Sequence, residues 1–375
     1  MSSLKRMYRG RTDIDFPKIF RPVLIISAVL VIGSIVSFFT RELNLSIDFE
    51  GGAAWEIPSK TMTTAQATDV LTGFKLNDGS KVQEARDAEG NRIIKVQADT
   101  KSVTTSRKVA EKFAETAKLK VDDIATNTVG PSWGSEITKQ AGISLVVFLV
   151  IIAAYITILL EWAMAAAALI AVAHDIVLTI GVYSIFAFEV TPATVISFLT
   201  ILGYSLYDTI VVYERVQDNT EKYDRTDKYT YSAIMRRSLN QVLMRSVNTT
   251  LVAILPVVSM LLIGAIAFGQ STLRDFSLAL FVGLISGAYS SIFIAAPVVV
   301  MLKERDPRYK RIRTRAADKG QLDVSDHIPI VETIVPILPE ALVNADGTAA
   351  STKTLQAAQY ARPHPPRPRK QGKKR

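Results

Sequence analysis

The apolar positions of this chain run in long unbroken blocks, and its charges fall almost entirely between them. A soluble helix would instead repeat its apolar residues every three or four positions. Residues 22–40, 140–160, 246–273 and 276–302 carry no charge, 162–188 carry only Asp175, and 190–213 carry only Asp208. Each block meets the roughly 20 residues that cross a bilayer as a helix. The pattern therefore predicts six transmembrane helices, the last five closely consecutive. The first block is longer than the apolar stretch of a cleaved signal peptide and has no small-residue cleavage site before Asp48, so it reads as a retained span.

The segment between the first two blocks, 41–139, has a different texture and predicts an α+β domain. Leu43 to Ile57 reads as strand broken at Gly51-Gly52, and Thr64 to Phe74 as a helix. Lys81–Arg86 and Arg92–Ala98 read as a hairpin about Glu89-Gly90-Asn91. Ser106 to Leu119 reads as a second helix with Val109, Phe113 and Ala117 on one face, and Ile124 to Val129 as a last strand. The order βαββαβ is that of a ferredoxin-like sandwich.

Charge sets the orientation. Basic residues crowd the segment before the first block, the loop 214–245 between the fourth and fifth, and the stretch after the sixth; the short turns near Glu189 and Arg274 are poor in them. Both termini are then cytoplasmic and 41–139 is extracytoplasmic, since long loops cross largely regardless of charge. This retention also accounts for the formal net charge of +9 without invoking nucleic acid. The chain has no cysteine and three scattered histidines, His174, His327 and His364. That excludes disulfides and thiolate ligands and gives no metal spacing. No nucleophile–base set or phosphate loop marks an enzyme, and no cofactor is implied.

The expected layout is a cytoplasmic segment 1–21, a first helix 22–40, the external domain 41–139, a five-helix bundle 140–302 and a largely disordered basic tail 303–375. Within the loop, 229–245 reads as an amphipathic surface helix, with Ile234, Leu239, Val242 and Leu243 toward lipid and Arg236 and Arg237 among headgroups. Residues 328–343 are apolar but interrupted by Pro329, Pro336 and Pro339, which argues against a seventh span. Beyond Asp346 all charges are basic, a composition suited to anionic lipid.

Ionisable groups within spans are costly and are often functional. Asp175 lies fourteen residues from both Glu161 and Glu189, near mid-bilayer. Asp208 precedes Glu214 by six residues, roughly 9 Å inward. Both are candidate proton-binding residues, because a buried carboxylate can gain or lose its charge by taking up a proton. The alternatives are a structural carboxylate bonded across helices for Asp208 and a local pair with His174 for Asp175. Arg245, heading the fifth block, fits first a positive-inside anchor and second a counter-charge to Asp208. Asn248, Thr249 and Thr250 follow at similar depth as polar support or as interhelical glue. Gly283, Gly287 and Ser291, four residues apart, form a close-packing face, and Pro256 should break the fifth helix.

Four strings then carry a resemblance: SIDFEGG at 46–52, VGPSWGSEIT at 129–138, GYSLYDTIVVYER at 203–215 and DFSLALFVGLISGAYSS at 275–291. They resemble, in order and in membrane position, the motifs of SecF-type members of the SecD/SecF family of protein-export membrane proteins, within the RND superfamily. The likeness covers about 17–305. It implies that Asp208 is the motif aspartate expected to bind protons and that Arg245 is the basic residue heading the fifth span. Gly51, Gly52, Gly130, Gly203, Thr209, Gly283 and Gly287 occupy motif positions, and Asp48 lies in the external motif, where a structural role is equally apt. Glu50 and the long basic tail depart from the pattern.

The resemblance further implies a subunit of the bacterial cytoplasmic membrane. It would pair with SecD in a pseudo-symmetric unit and use the proton motive force to help draw a translocating polypeptide from the SecYEG channel. Protons and membrane lipids are its other expected contacts. Two alternatives stand beside this one: an RND-type exporter of a small molecule or lipid, and a structural scaffold of the translocon.

Overall fold

The computed structural model describes residues 12–58, 62–86, 91–100, 102–224, 228–267 and 271–328. Among the described residues, six helices are long and apolar enough to cross a membrane. They are Phe16–Arg41 (α1), Pro131–Leu159, Trp162–Phe186, Pro192–Asp224, Tyr231–Ser259, and a sixth that begins as Ser271–Ser290 and ends as Ala296–Lys303. They are called here the first to sixth spans.

Most of these helices run past their apolar blocks. The fourth continues to Asp224 and the fifth starts at Tyr231, so most of the expected loop 214–245 is helix. Once a chain leaves hydrocarbon, polar side chains are tolerated on every helix face, so apolar content marks the membrane and not the helix end. The helix starts are set by caps: Thr230 accepts from the Ala233 amide at the fifth span, and proline occupies the first turn of the first and second spans, where its missing N–H is no loss.

The segment expected to lie on lipid instead packs inward. Ile234, Leu239 and Val242 are buried in the main core of the bundle. The apolar stripe of an amphipathic helix fits a protein core as well as a bilayer surface. Pro256 does not end the fifth span either. The helix carries it through to Ser259 and then winds as π-helix over Met260–Ala267. A second π-wound stretch, Ser291–Ala295, interrupts the sixth span.

Between the first two spans hangs the α+β domain. Its strands are Gly52–Pro58 (β2), Lys81–Arg86 (β3), Arg92–Ala98 (β4) and Ala125–Val129 (β5), all antiparallel in the order β3-β4-β2-β5. Two helices, Thr64–Gly73 (α3) and Val103–Ala117 (α4), share one apolar core with the sheet. Alternation along β2 puts Ala53, Trp55 and Ile57 in that core, as period-two patterning requires. The Trp55 ring meets Phe113 edge-on at 5.7 Å and its indole N–H donates to the Ser106 carbonyl at 3.1 Å. The tip of the β3–β4 hairpin, 87–90, lies outside the described residues.

The expected strand 43–57 is not continuous. Asn44–Leu45 (β1) pairs in parallel with Glu189–Val190 (β6), which joins the third and fourth spans. Ile47–Glu50 (α2) is a single helical turn, because the Ser46 hydroxyl accepts from the Asp48 amide and caps it. The chain after the sixth span is also more ordered than expected. Pro307–Asp318 is a helix that buries Tyr309 and Ile312, and Leu322–Ser325 a short one. Residues 329–375, including the basic run, lie outside the described residues.

Candidate functional site

The site begins with two glycines. A Cβ added at Gly283 would overlap the Ile201 side chain, and one at Gly287 would lie 2.7 Å from the Ser205 Cβ. The absence of those atoms lets the sixth span lie directly against the fourth. Close approach through small residues is the usual basis of helix pairing in membranes. Here it brings the hydroxyls flanking Gly287 within reach of the third and fourth spans.

Asp175 projects from the third span into that contact and is 1% exposed. Its carboxylate accepts from three serine hydroxyls, each at 2.7 Å: Ser205 of the fourth span and Ser286 and Ser290 of the sixth. His174 Nδ1 lies 3.3 Å from the same carboxylate, while its Nε2 is buried without a partner among the described residues. Both carboxylate oxygens are thus filled by groups from three helices, as a buried polar group requires.

Asp208 lies three residues beyond Ser205 and is also buried. Its carboxylate accepts from the Ser246 hydroxyl of the fifth span. Beside it, Thr209 and Ser291 share a hydroxyl–hydroxyl bond of 2.9 Å, and the Ser291 hydroxyl also lies 3.3 Å from the Ser205 carbonyl. The hydroxyls of Ser205, Ser290, Ser291 and Thr209 therefore occupy the ground between the two aspartates. Ser291 opens the π-wound stretch of the sixth span, a local winding often found at functional positions.

The expected supporting residues behave differently. Arg245 is exposed; its charge acts on Asp208, while Ser246, its neighbour, makes the hydrogen bond to that carboxylate. Thr249 turns its hydroxyl onto its own helix, toward the carbonyls of Arg245 and Ser246, while its carbonyl accepts from Tyr204 at 2.8 Å. It joins the fifth span to the fourth through backbone and does not touch the carboxylate; nor does Asn248 bond to it. Gly203 is exposed, with open space where a Cβ would sit.

Sequence reasoning missed Ser205, Ser246, Ser286 and Ser290. The signal was present: Ser286 and Ser290 are four apart on one helix face, and Ser205 lies three residues before Asp208. Small residues in a span are read first as packing, and here the same positions do both jobs.

The SIDFEGG and VGPSWGSEIT motifs meet at a second junction. Gly52 has φ +108, and a Cβ there would lie 2.5 Å from the Ala98 carbonyl oxygen. Gly51 ends the capped turn at φ 79. Gly134, not Gly130, makes the close contact from the second span: its Cβ would sit 2.8 Å from the Phe49 carbonyl oxygen. Gly130 only precedes that helix as its cap residue. Asp48 bonds to Ser46 at 3.2 Å and lines a cleft of 430 Å³ between the sheet and the bundle, which Gln97 bridges to Glu189 at 2.7 Å.

Comparison with known proteins places this architecture. The family described as "Protein export membrane protein SecD/SecF, C-terminal" fits residues 108–305. Protein translocase subunit SecF of Streptomyces coelicolor is 39% identical over 314 residues, which are 84% of this chain and 83% of that one. Protein translocase subunit SecDF of Thermus thermophilus is 33% identical over 270 residues, 71% of this chain and 35% of the longer protein. The crystal structure of SecDF from that organism, described as a translocon-associated membrane protein, matches with a TM-score of 0.69 at 30% identity. That match covers 79% of this chain and 39% of the crystallised one.

Proposed function

The chain belongs to the SecD/SecF family of protein-export membrane proteins, and we propose that it is the SecF-type half of a proton-driven accessory unit of the Sec translocase. The observation that carries this is the pair of buried carboxylates, Asp208 and Asp175, joined by hydroxyls where the third, fourth, fifth and sixth spans meet. The third buried carboxylate among the described residues, Asp275, is paired with the adjacent Arg274.

The chemistry follows from counting donors. Asp175 is met by three serine hydroxyls and lies beside a histidine, whereas Asp208 accepts from the Ser246 hydroxyl of the fifth span and has Ser291 beside it. Protonation of Asp208 converts an acceptor of the Ser246 hydroxyl into a group that can itself donate. Two arrangements of the fourth and fifth spans then differ in their preference for the proton, and proton flow shifts the balance between them. Arg245, whose charge acts on Asp208, draws closer in the arrangement in which Asp208 is ionised.

Basic side chains at the ends that include Lys18, Arg236 and Lys303 support cytoplasmic termini, which puts the α+β domain outside. Its strand order and two helices on one face support the ferredoxin-like reading. SecD is the expected partner: the Thermus relative carries far more chain than this one matches. The uncovered face beside Asp208, with Gly203, Tyr207 and Leu251, suits a second helix bundle. The SecYEG channel and the exported polypeptide are the remaining partners in this reading.

The test is secretion of a Sec-dependent protein in cells whose only copy carries Asp208→Asn, with membrane abundance and SecD co-purification measured alongside. Asn keeps size and hydrogen bonding but has no charge to exchange. Export should fall while abundance and pairing hold. Normal export would make the residue structural and leave a scaffold role.

A further inference from the structure

On the side of the bundle that carries Thr12 and Ile328, a pocket of 670 Å³ opens between the start of the first span, the start of the fifth and the helix 307–318. Four cationic side chains line it, Lys18, Arg21, Arg236 and Arg313, against two carboxylates, Asp15 and Asp326. Part of this charge is already spoken for: Lys18 pairs with Asp15, Arg236 with Asp13 and Asp15, and Arg313 with Glu304. Arg21 is exposed and has no ion pair among the described residues, and Arg236 keeps a buried Nε without a partner. Of the lining cations, Arg21 is thus the one left without an ion pair among the described residues, while Asp326 accepts from Thr230 and His327 lies 3.7 Å from Asp13.

Depth and shape identify the ligand. Arg21 is the last charge before the uncharged run 22–40, which puts it at the level of lipid headgroups. Below it on the same face of the first span, Ile25, Val29 and Ile32 follow at helical spacing, all exposed. A cation at the head of a bare apolar stripe matches a phosphate above an acyl chain, and a free anion would have no use for the stripe. We propose that this pocket binds the phosphate of an anionic phospholipid, with its acyl chain along Ile25, Val29 and Ile32. The site ties the lipid to the first span, the fifth span and the C-terminal helix at once.

Native mass spectrometry of the full chain, with phosphatidylglycerol or phosphatidylcholine added to delipidated protein, tests this. Phosphatidylglycerol should be retained in preference. Arg21→Gln, which breaks no described ion pair, should weaken its retention about fivefold, the effect of one cation at a membrane surface. Arg313→Gln should weaken it similarly, and Val29→Ser should weaken it while leaving the headgroup cations intact. Lys139→Gln, at the opposite end of the second span, should leave it unchanged. Equal retention of the two lipids, or equal loss in Arg21→Gln and Lys139→Gln, would overturn the proposal. So would displacement of the lipid by millimolar inorganic phosphate with no effect of Val29→Ser, which would make the site one for a free anion. Thermal unfolding of each variant without lipid separates a lost site from a lost fold.

Discussion

Asp175 and Asp208 are the same residue type at neighbouring positions in the bundle, yet they are held differently. Asp175 has its donors arranged on three helices, so it acts as a fixed polar knot. Removing one donor leaves a buried acceptor short by one bond, a cost of about 1–3 kcal/mol. Ser290→Ala should lower thermal stability in detergent by that amount. Ser246→Ala removes the fifth-span donor of Asp208, and its larger effect should be on export, because the fifth span then loses its contact with the carboxylate proposed to exchange the proton. If Ser246→Ala exported normally, the proton-linked role of that contact would be wrong. The two aspartates were legible in the sequence because an acid within an apolar block stands out. Their serines were not, because a hydroxyl and a packing contact need the same small residue, and only three-dimensional placement separates the two uses.

Helices were read from apolar blocks, and the blocks located all six spans. They did not locate helix ends, which depend on caps such as Thr230 and on packing of polar ends like Tyr231–Arg245. They also could not tell a lipid-facing stripe from a core-facing one, which is why Ile234 and Leu239 were placed on the wrong surface. The hairpin strands of the α+β domain, by contrast, were legible to the residue, because alternation is a local property. The glycines divide along the same line. Gly287→Leu should destabilise the chain by about 1–3 kcal/mol through overpacking against Ser205, seen as a lower unfolding temperature. A Cβ at exposed Gly203 meets nothing within 4 Å, so stability should hold in Gly203→Leu. Co-purification with a SecD-type partner should fall, since the added side chain projects from the uncovered face. Retained pairing would put the partner elsewhere.

At the scale of the molecule, the core of the α+β domain and that of the bundle are bridged by a smaller apolar cluster around Phe49, Tyr183, Val190 and Ala279. The α+β domain has its own core around Trp55 and Phe113, so Trp55→Ala should cost about 3–5 kcal/mol locally. Limited proteolysis should then open the domain before the spans. The domain meets the bundle through Gly134 against Phe49, through Gln97 to Glu189, and through the pairing of Leu45 with Val190. That last ladder is two residues long and belongs to the link between the third and fourth spans, the helices that carry Asp175 and Asp208. In mechanical terms it is a crank pin: a displacement of those spans is delivered to the root of β2 within a few residues, with little slack to absorb it. The chain contains no cysteine, so a disulfide formed between Leu45→Cys and Val190→Cys would be the only one. Locking that pin should leave folding intact and leave export unimpaired if the domain and these two helices travel together, and should stall export if the stroke lies between them.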